Sequence, residues 1–139
     1  MRPGPDAQRI KAHLLIWWIF WASYLMGLAA LYFIIVRGKA LPTALAGVLV
    51  TGLVGFVPLF LSVVVRWLVL PRYTNPGRAL VIFIFGMGMA ETCGILAIFF
   101  GGPYRDALFL LGVLGITQYV PLYARKIYEP KATGFIPNN

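Results

Sequence analysis

The chain has 139 residues, of which 60% are hydrophobic and only 12% are charged. Soluble domains average about 45–50% apolar and about 25% charged residues, so the composition excludes a soluble globular domain of this length. The net charge of +8 is scattered over short connections and forms no basic helix face, which argues against nucleic acid as a partner.

Four long apolar runs follow one another along the chain, at residues 13–36, 43–70, 79–100 and 107–123. A membrane-spanning helix needs about 20 predominantly apolar residues, so each run is interpreted as one span. The first run is longer than the core of a signal peptide, and we expect it to be retained. We therefore predict an all-α fold, a single domain of four transmembrane helices, followed by a short polar cytoplasmic tail at 124–139. Short connections predict that consecutive helices form antiparallel hairpins.

The first run begins with three tryptophans, Trp17, Trp18 and Trp21. Tryptophan is enriched at membrane–water interfaces, so the pattern predicts that these rings anchor the helix at the membrane edge. Arg66 lies about one turn inside the end of the second run. Its long side chain can extend to the headgroups, and we expect no special role for it.

Basic residues are distributed unequally between the two sides that four spans define. One side holds nine of them, namely Arg2, Arg9, Lys11, Arg66, Arg72, Arg78, Arg125, Lys126 and Lys131, and the other holds Arg37, Lys39 and Arg105. Short loops rich in Lys and Arg stay in the cytoplasm. We expect a multi-pass protein of a bacterial inner (plasma) membrane, with both termini cytoplasmic and anionic lipid headgroups as partners on that side.

Small residues recur at helical spacing in the second and third runs. The third run carries Gly86, Ala90 and Gly94, and the second carries Gly55. Small residues let helix backbones approach closely in lipid. We predict that these four residues form helix-packing contacts.

Glu91 lies almost at the midpoint of the third run, where an ionised carboxylate is very costly. We therefore expect a protonated carboxyl that donates a hydrogen bond. Ser23 and Tyr24 lie at matching depth, and Pro58 leaves the carbonyl of Val54 without its helical donor. Intramembrane acids are candidates for ion or proton binding. The alternative is a neutral acid that only joins helices.

The remaining composition limits the chemistry. The chain has one histidine, four acidic residues and one cysteine, Cys93, which excludes an intramolecular disulfide and a cysteine-built metal site. No serine, histidine and acid lie at matched depth for nucleophilic hydrolysis. We therefore expect a protein that is not an enzyme and that holds no cofactor and no metal.

The stretch "GMAETCGILAIFF" resembles the outer helix of the rotor-ring proteolipid subunits of rotary ATP synthases, which carries an ion-binding carboxylate at mid-span. That family's tight glycine repeat is absent from the second run. The small multidrug-resistance exporters are similar in having four spans and one membrane glutamate, but theirs lies in the first span. The whole chain resembles small four-span bacterial inner-membrane proteins, a resemblance that implies no function.

Two functions follow as expectations. The first is a small non-enzymatic integral membrane protein that serves as a subunit or interaction partner in a membrane assembly, either as a homo-oligomer or in a larger complex. The alternative is a component of proton- or cation-coupled transport that uses the carboxyl of Glu91.

Overall fold

The computed structural model describes residues 5–36, 45–100 and 104–124. Its four α-helices are α1 (Pro5–Val36), α2 (Leu45–Val64), α3 (Pro76–Phe100) and α4 (Arg105–Thr117). A π-helical turn (Val65–Val69) and a 3-10 turn (Leu70–Arg72) continue α2, and a second 3-10 turn (Pro121–Tyr123) follows α4. The described ranges contain no strand, so the all-α prediction is confirmed for them. The tail prediction falls on residues 125–139, outside this description.

Three helical segments in the described ranges are long and apolar enough to cross a membrane: Ile10–Val36, Gly55–Arg72 and Pro76–Phe100. The fourth helix has 13 residues, or about 20 Å at 1.5 Å per residue. The hydrocarbon core of a bilayer is about 30 Å thick. The chain therefore has the helices of a membrane protein, whereas a fourth crossing stays a prediction.

Helix α3 is central, because it contacts α1, α2 and α4. Phe83 packs against Trp17 and Gly94 lies against Leu28, so α1 and α3 run in the same direction. The extensive contacts of α1 are with α3 and α4, and those of α2 are also with α3 and α4. The predicted hairpin of α1 with α2 is not confirmed. An eight-residue connection can extend to roughly 26 Å, which leaves room for another helix between its ends.

Helices α3 and α4 approach each other closely at their glycines. A Cβ added to Gly112 would lie 2.8 Å from the backbone nitrogen and Cα of Gly94. A Cβ added to Gly115 would lie 2.9 Å from the Cβ of Ala90. The small residues therefore allow the two backbones to touch, as close packing of helices in lipid requires.

The tryptophans of α1 do not all lie at the surface. Trp17 is fully buried, and its ring centroid lies 4.6 Å from that of Phe83. Trp18 is 40% exposed, whereas Trp21 is half-buried. The predicted anchoring role is therefore wrong for Trp17, because this ring fills the space between α1 and α3.

The other end of α1 is joined to the start of α4. The Tyr32 hydroxyl donates to the Asp106 carboxylate over 2.8 Å, and the Tyr32 ring stacks on Phe109 with centroids 4.0 Å apart. The hydrogen bond from Tyr32 holds the pKa of Asp106 below its usual range. Asp106 is exposed, so this contact fixes the geometry of the helix ends more than it stabilises the fold.

Candidate functional site

The fourth predicted span is interrupted before its end. Helix α4 stops at Thr117, although the apolar run continues to residue 123. Pro121 explains the early end, because its ring clashes with the carbonyl four residues earlier and its nitrogen cannot donate. The chain tightens instead, with Tyr119 N donating to Ile116 O over 3.0 Å and Val120 N donating to Thr117 O over 3.0 Å. The predicted continuous helix to residue 123 is therefore corrected.

Two neighbouring helical segments supply donors to the interrupted end of α4. The indole nitrogen of Trp21 in α1 donates to the Ile116 carbonyl over 3.1 Å. The Nε of Arg66 in the π-helical turn donates to the Gln118 carbonyl over 2.7 Å. Irregular backbone at membrane depth is tolerated only where its polar groups find partners inside the protein. Both contacts meet that requirement. Arg66 therefore binds the interrupted end of α4, a role that the sequence did not predict.

Tyr119 fills the space beside the interruption. Its ring is fully buried, and its hydroxyl donates to the Ser62 carbonyl over 2.5 Å. Gly86 of α3 makes the position possible, because a Cβ there would overlap the tyrosine hydroxyl. Ser62 is itself fully buried, with its hydroxyl 3.5 Å from that of Tyr119. The glycine predicted as a packing residue thus accommodates a polar side chain.

Gln118 and Arg66 are also enclosed by aromatic rings. The Trp67 indole donates to the Gln118 side-chain oxygen over 3.2 Å, and the Arg66 guanidinium lies 5.8 Å from the Tyr119 ring centroid. The Gln118 amide nitrogen is buried without an acceptor in the described part of the chain. We call Trp21, Ser62, Arg66, Gln118 and Tyr119 the α4-break cluster. Its polar groups mostly bond with one another, so its arrangement favours a structural role.

Glu91 lies elsewhere, on the face of α3 that meets α1. A Cβ added to Gly27 would lie 4.0 Å from the Glu91 carboxyl oxygen. The Tyr24 hydroxyl would lie 4.0 Å from a Cβ added to Gly88, which lies one turn before Glu91 in α3. Glu91 is only partly buried, and Gly27 is exposed. The carboxyl therefore opens towards the outside of the bundle.

Of the two predicted acceptors, the structure brings Tyr24 near Glu91. Tyr24 lies beside it, and Ser23 is exposed on the same helix. Gly55 of α2 instead lies against Cys93, where its added Cβ would be 3.9 Å from the sulfur. Cys93 is about 200° around α3 from Glu91. Gly55 follows Val54 along α2, and the choice of acceptor for Glu91 stays a prediction.

The four predicted packing residues are buried. Three of them follow one another at four-residue spacing along α3, and the fourth, Gly55, lies on α2. Gly86 lies against Tyr119, Ala90 against Gly115, and Gly94 against Leu28, whereas Gly55 faces α3 from α2. Their contacts are therefore within the bundle.

A cleft of about 180 Å³ opens between the starts of α1 and α3, next to His13 and Gly77. The first amides of α3 already have an acceptor, because Gly77 N donates to the Asn75 side chain over 3.0 Å. Among the described residues, no group of three or more His, Cys, Asp or Glu could hold a metal ion. Neither feature adds a ligand to the candidate site.

No family model matches the chain, and no curated protein or solved structure matches it either. Of the two polar regions, the α4-break cluster is internal, and Glu91 is the group that an outside partner or a proton can reach.

Proposed function

We propose that this chain is a non-enzymatic subunit of a membrane assembly and that the α1 side of the bundle contacts the rest of the assembly. The supporting observation is the difference in burial between two equally apolar helices. In the most apolar window of α1 6% of residues are buried, against 44% in α3. An apolar helix at the edge of a bundle must be covered by lipid, by protein or by both.

At one part of the α1 side, the carboxyl of Glu91 is better covered by a partner protein than by lipid. Lipid can cover exposed apolar residues of α1 such as Met26 and Phe33 at no cost. A partly exposed carboxyl at mid-membrane is different, because hydrocarbon offers it no hydrogen bond. A partner that covers α1 and Glu91 together removes this cost.

The test is chromatography of a mild-detergent extract in which the chain carries a terminal affinity tag. The proposal expects a partner protein at fixed stoichiometry, which remains through a second column. A variant of the lipid-accessible face, such as Leu110→Ala on α4, serves as the control and should retain the partner. Elution as a lone monomer or homodimer from every mild detergent would contradict the proposal.

The proposed orientation places both termini in the cytoplasm of a bacterial inner membrane, with four crossings. It rests on the nine-to-three distribution of basic residues between the two sides. Reporters fused after Arg78 and after Asn139 should behave as cytoplasmic, and one fused after Lys39 as external. The reverse pattern would overturn the orientation, and equal behaviour of the reporters after Lys39 and Asn139 would overturn the fourth crossing.

The second candidate function is proton- or cation-coupled transport through Glu91. The observation that favours it is the neighbourhood of the carboxyl, where a carboxyl oxygen lies beside Gly27 and the Tyr24 hydroxyl lies beside Gly88, one turn away on α3. Proteoliposomes that contain the purified chain alone test it. An imposed proton gradient should dissipate faster with the wild type than with Glu91→Gln, and equal rates would exclude this candidate.

A further inference from the structure

The surface around Glu91 combines a partly exposed carboxyl with small exposed residues of α1 and α3. Ser23 and Gly27 lie one turn apart on α1, and Thr92 follows Glu91 on α3; all three are exposed. The Glu91 carboxyl oxygen lies against the Gly27 backbone, as its 4.0 Å distance from an added Cβ shows. We call Ser23, Gly27, Glu91 and Thr92 the Glu91 surface.

Among the described residues, no basic side chain lies at the same depth as this carboxyl. At 1.5 Å per residue, Glu91 lies about 22 Å along α3 from Pro76. Arg66 lies about 9 Å from Arg72, at the same end of the bundle, and donates to Gln118. Within the described ranges, the other basic residues lie near helix ends. The described part of a second copy would therefore bring no cation to Glu91.

The occupant must also fit the membrane. Only helices and closed barrels satisfy their backbone polar groups in hydrocarbon, so a partner at this depth is a helix. The bare backbone at Gly27 lets another helix approach closely, as small residues do elsewhere in membrane proteins. A lysine or arginine at the middle of that helix would then reach the carboxyl and neutralise it, which is the usual pairing of intramembrane charges.

We propose that the Glu91 surface binds a transmembrane helix of a different protein and that this helix carries a lysine or arginine at mid-membrane. The inference rests on the proposed function as a subunit, and it specifies the contact face and the chemistry of the partner. Glu91 forms the ion pair, whereas Gly27 and Ser23 provide the space for the partner backbone.

The experiment uses the full chain in phosphatidylcholine bicelles, with a fluorescent donor at its N-terminus. The probe is a synthetic leucine-rich transmembrane peptide that carries one central lysine and a fluorescent acceptor. A peptide with leucine at the centre is the reference. We expect the lysine peptide to bind at least about tenfold more tightly, because breaking one partner of a buried charge pair typically weakens binding more than that.

Variants of the chain identify the surface. Glu91→Gln and Gly27→Leu should each remove the preference for the lysine peptide. Both should fold, since glutamine keeps the shape of the side chain and Gly27 is exposed. The matched control is Ala22→Leu, because Ala22 is exposed on α1 about 140° around from Gly27. It should bind as the wild type does.

The following results would contradict the inference. Equal binding of the two peptides to the wild type, or of the lysine peptide to Glu91→Gln, shows that the carboxyl does not select a cation. Energy transfer between copies of the chain that Gly27→Leu abolishes would assign the surface to a second copy. The detergent extract separates this inference from the proposed function. If Glu91→Gln retains a stoichiometric partner, the chain is still a subunit, but the partner does not bind through the Glu91 surface.

Discussion

The α4-break cluster and the Glu91 surface solve the same problem in opposite ways. Both place polar groups within an apolar helical bundle, where each unpartnered group is costly. In the cluster, donors from α1 and from the π-helical turn reach the Ile116 and Gln118 carbonyls at the interrupted end of α4, over 3.1 Å from Trp21 and 2.7 Å from Arg66. Glu91 instead lies at the rim of the bundle and remains partly exposed. A polar group that the fold already satisfies contributes to structure, whereas one that the fold leaves open is available for function.

The largest expected difference is between a buried glycine of the bundle, Gly94, and the exposed glycine of the Glu91 surface, Gly27. Gly94→Leu should strongly destabilise the protein, because even a Cβ there would lie 2.7 Å from the buried Leu28 side chain. Overpacking costs about 1–3 kcal/mol and more where a backbone must move. Leu96→Ala, at a partly buried position, should cost less, and Gly27→Leu should melt like the wild type. Thermal melting in detergent measures all three, and wild-type-like melting of Gly94→Leu would show that this packing is wrong.

The next largest effect should come from Arg66. Arg66→Met removes the donor to the Gln118 carbonyl, and hydrogen bonds from charged groups contribute about 1.5–3 kcal/mol. We expect a loss of that size in the free energy of unfolding, measured by denaturant titration in detergent. Arg72→Met, at the exposed end of the 3-10 turn, is the control and should change stability little. Equal losses for the two variants would mean that Arg66 acts only as an interfacial cation.

Tyrosines in the two regions offer a smaller, matched comparison. Tyr119→Phe removes one buried hydrogen bond, to the Ser62 carbonyl, and should cost about 1 kcal/mol. Tyr24→Phe, beside Glu91, should cost less than about 0.5 kcal/mol if the fold does not depend on that surface. The same unfolding titration compares them. A larger loss from Tyr24→Phe would show that the Glu91 surface is part of the core.

Apolar run length identified the long helices, because continuous hydrophobicity is what a membrane-spanning segment needs. The interruption of α4 was visible in the sequence, since Pro121 lies within the fourth run and cannot continue a helix. The sequence does not indicate which residues donate to the carbonyls at the interruption. The donors to these carbonyls, Trp21 and Arg66, come from positions 95 and 52 residues away in sequence from their acceptors. Such pairs depend on which helices are neighbours.

Glu91 is identifiable because an acid amid apolar residues is conspicuous, whereas its hydrogen-bond acceptor stays a prediction. Matching depth along the helices gave both Tyr24 and Val54, since depth depends only on the rise per residue. Depth does not give the rotation of a helix about its axis. That rotation places Tyr24 on the Glu91 side of α3 and Cys93 on the side that faces Gly55. Because the sequence does not give this rotation, the prediction for Trp17 is also wrong: its ring is buried between helices and not at the membrane edge.

The smallest expected effect on stability belongs to Glu91→Gln, and it separates the two regions most directly. Glutamine keeps the shape and a donor, so the free energy of unfolding should change by less than about 0.5 kcal/mol. Infrared spectroscopy of the isolated protein should show a protonated carboxyl band that this variant lacks, because an ionised carboxylate beside lipid is too costly. Addition of the central-lysine peptide should convert that band to a carboxylate band, since the cation then neutralises the charge. A carboxylate band in the isolated protein would show that the chain itself already supplies a cation to Glu91.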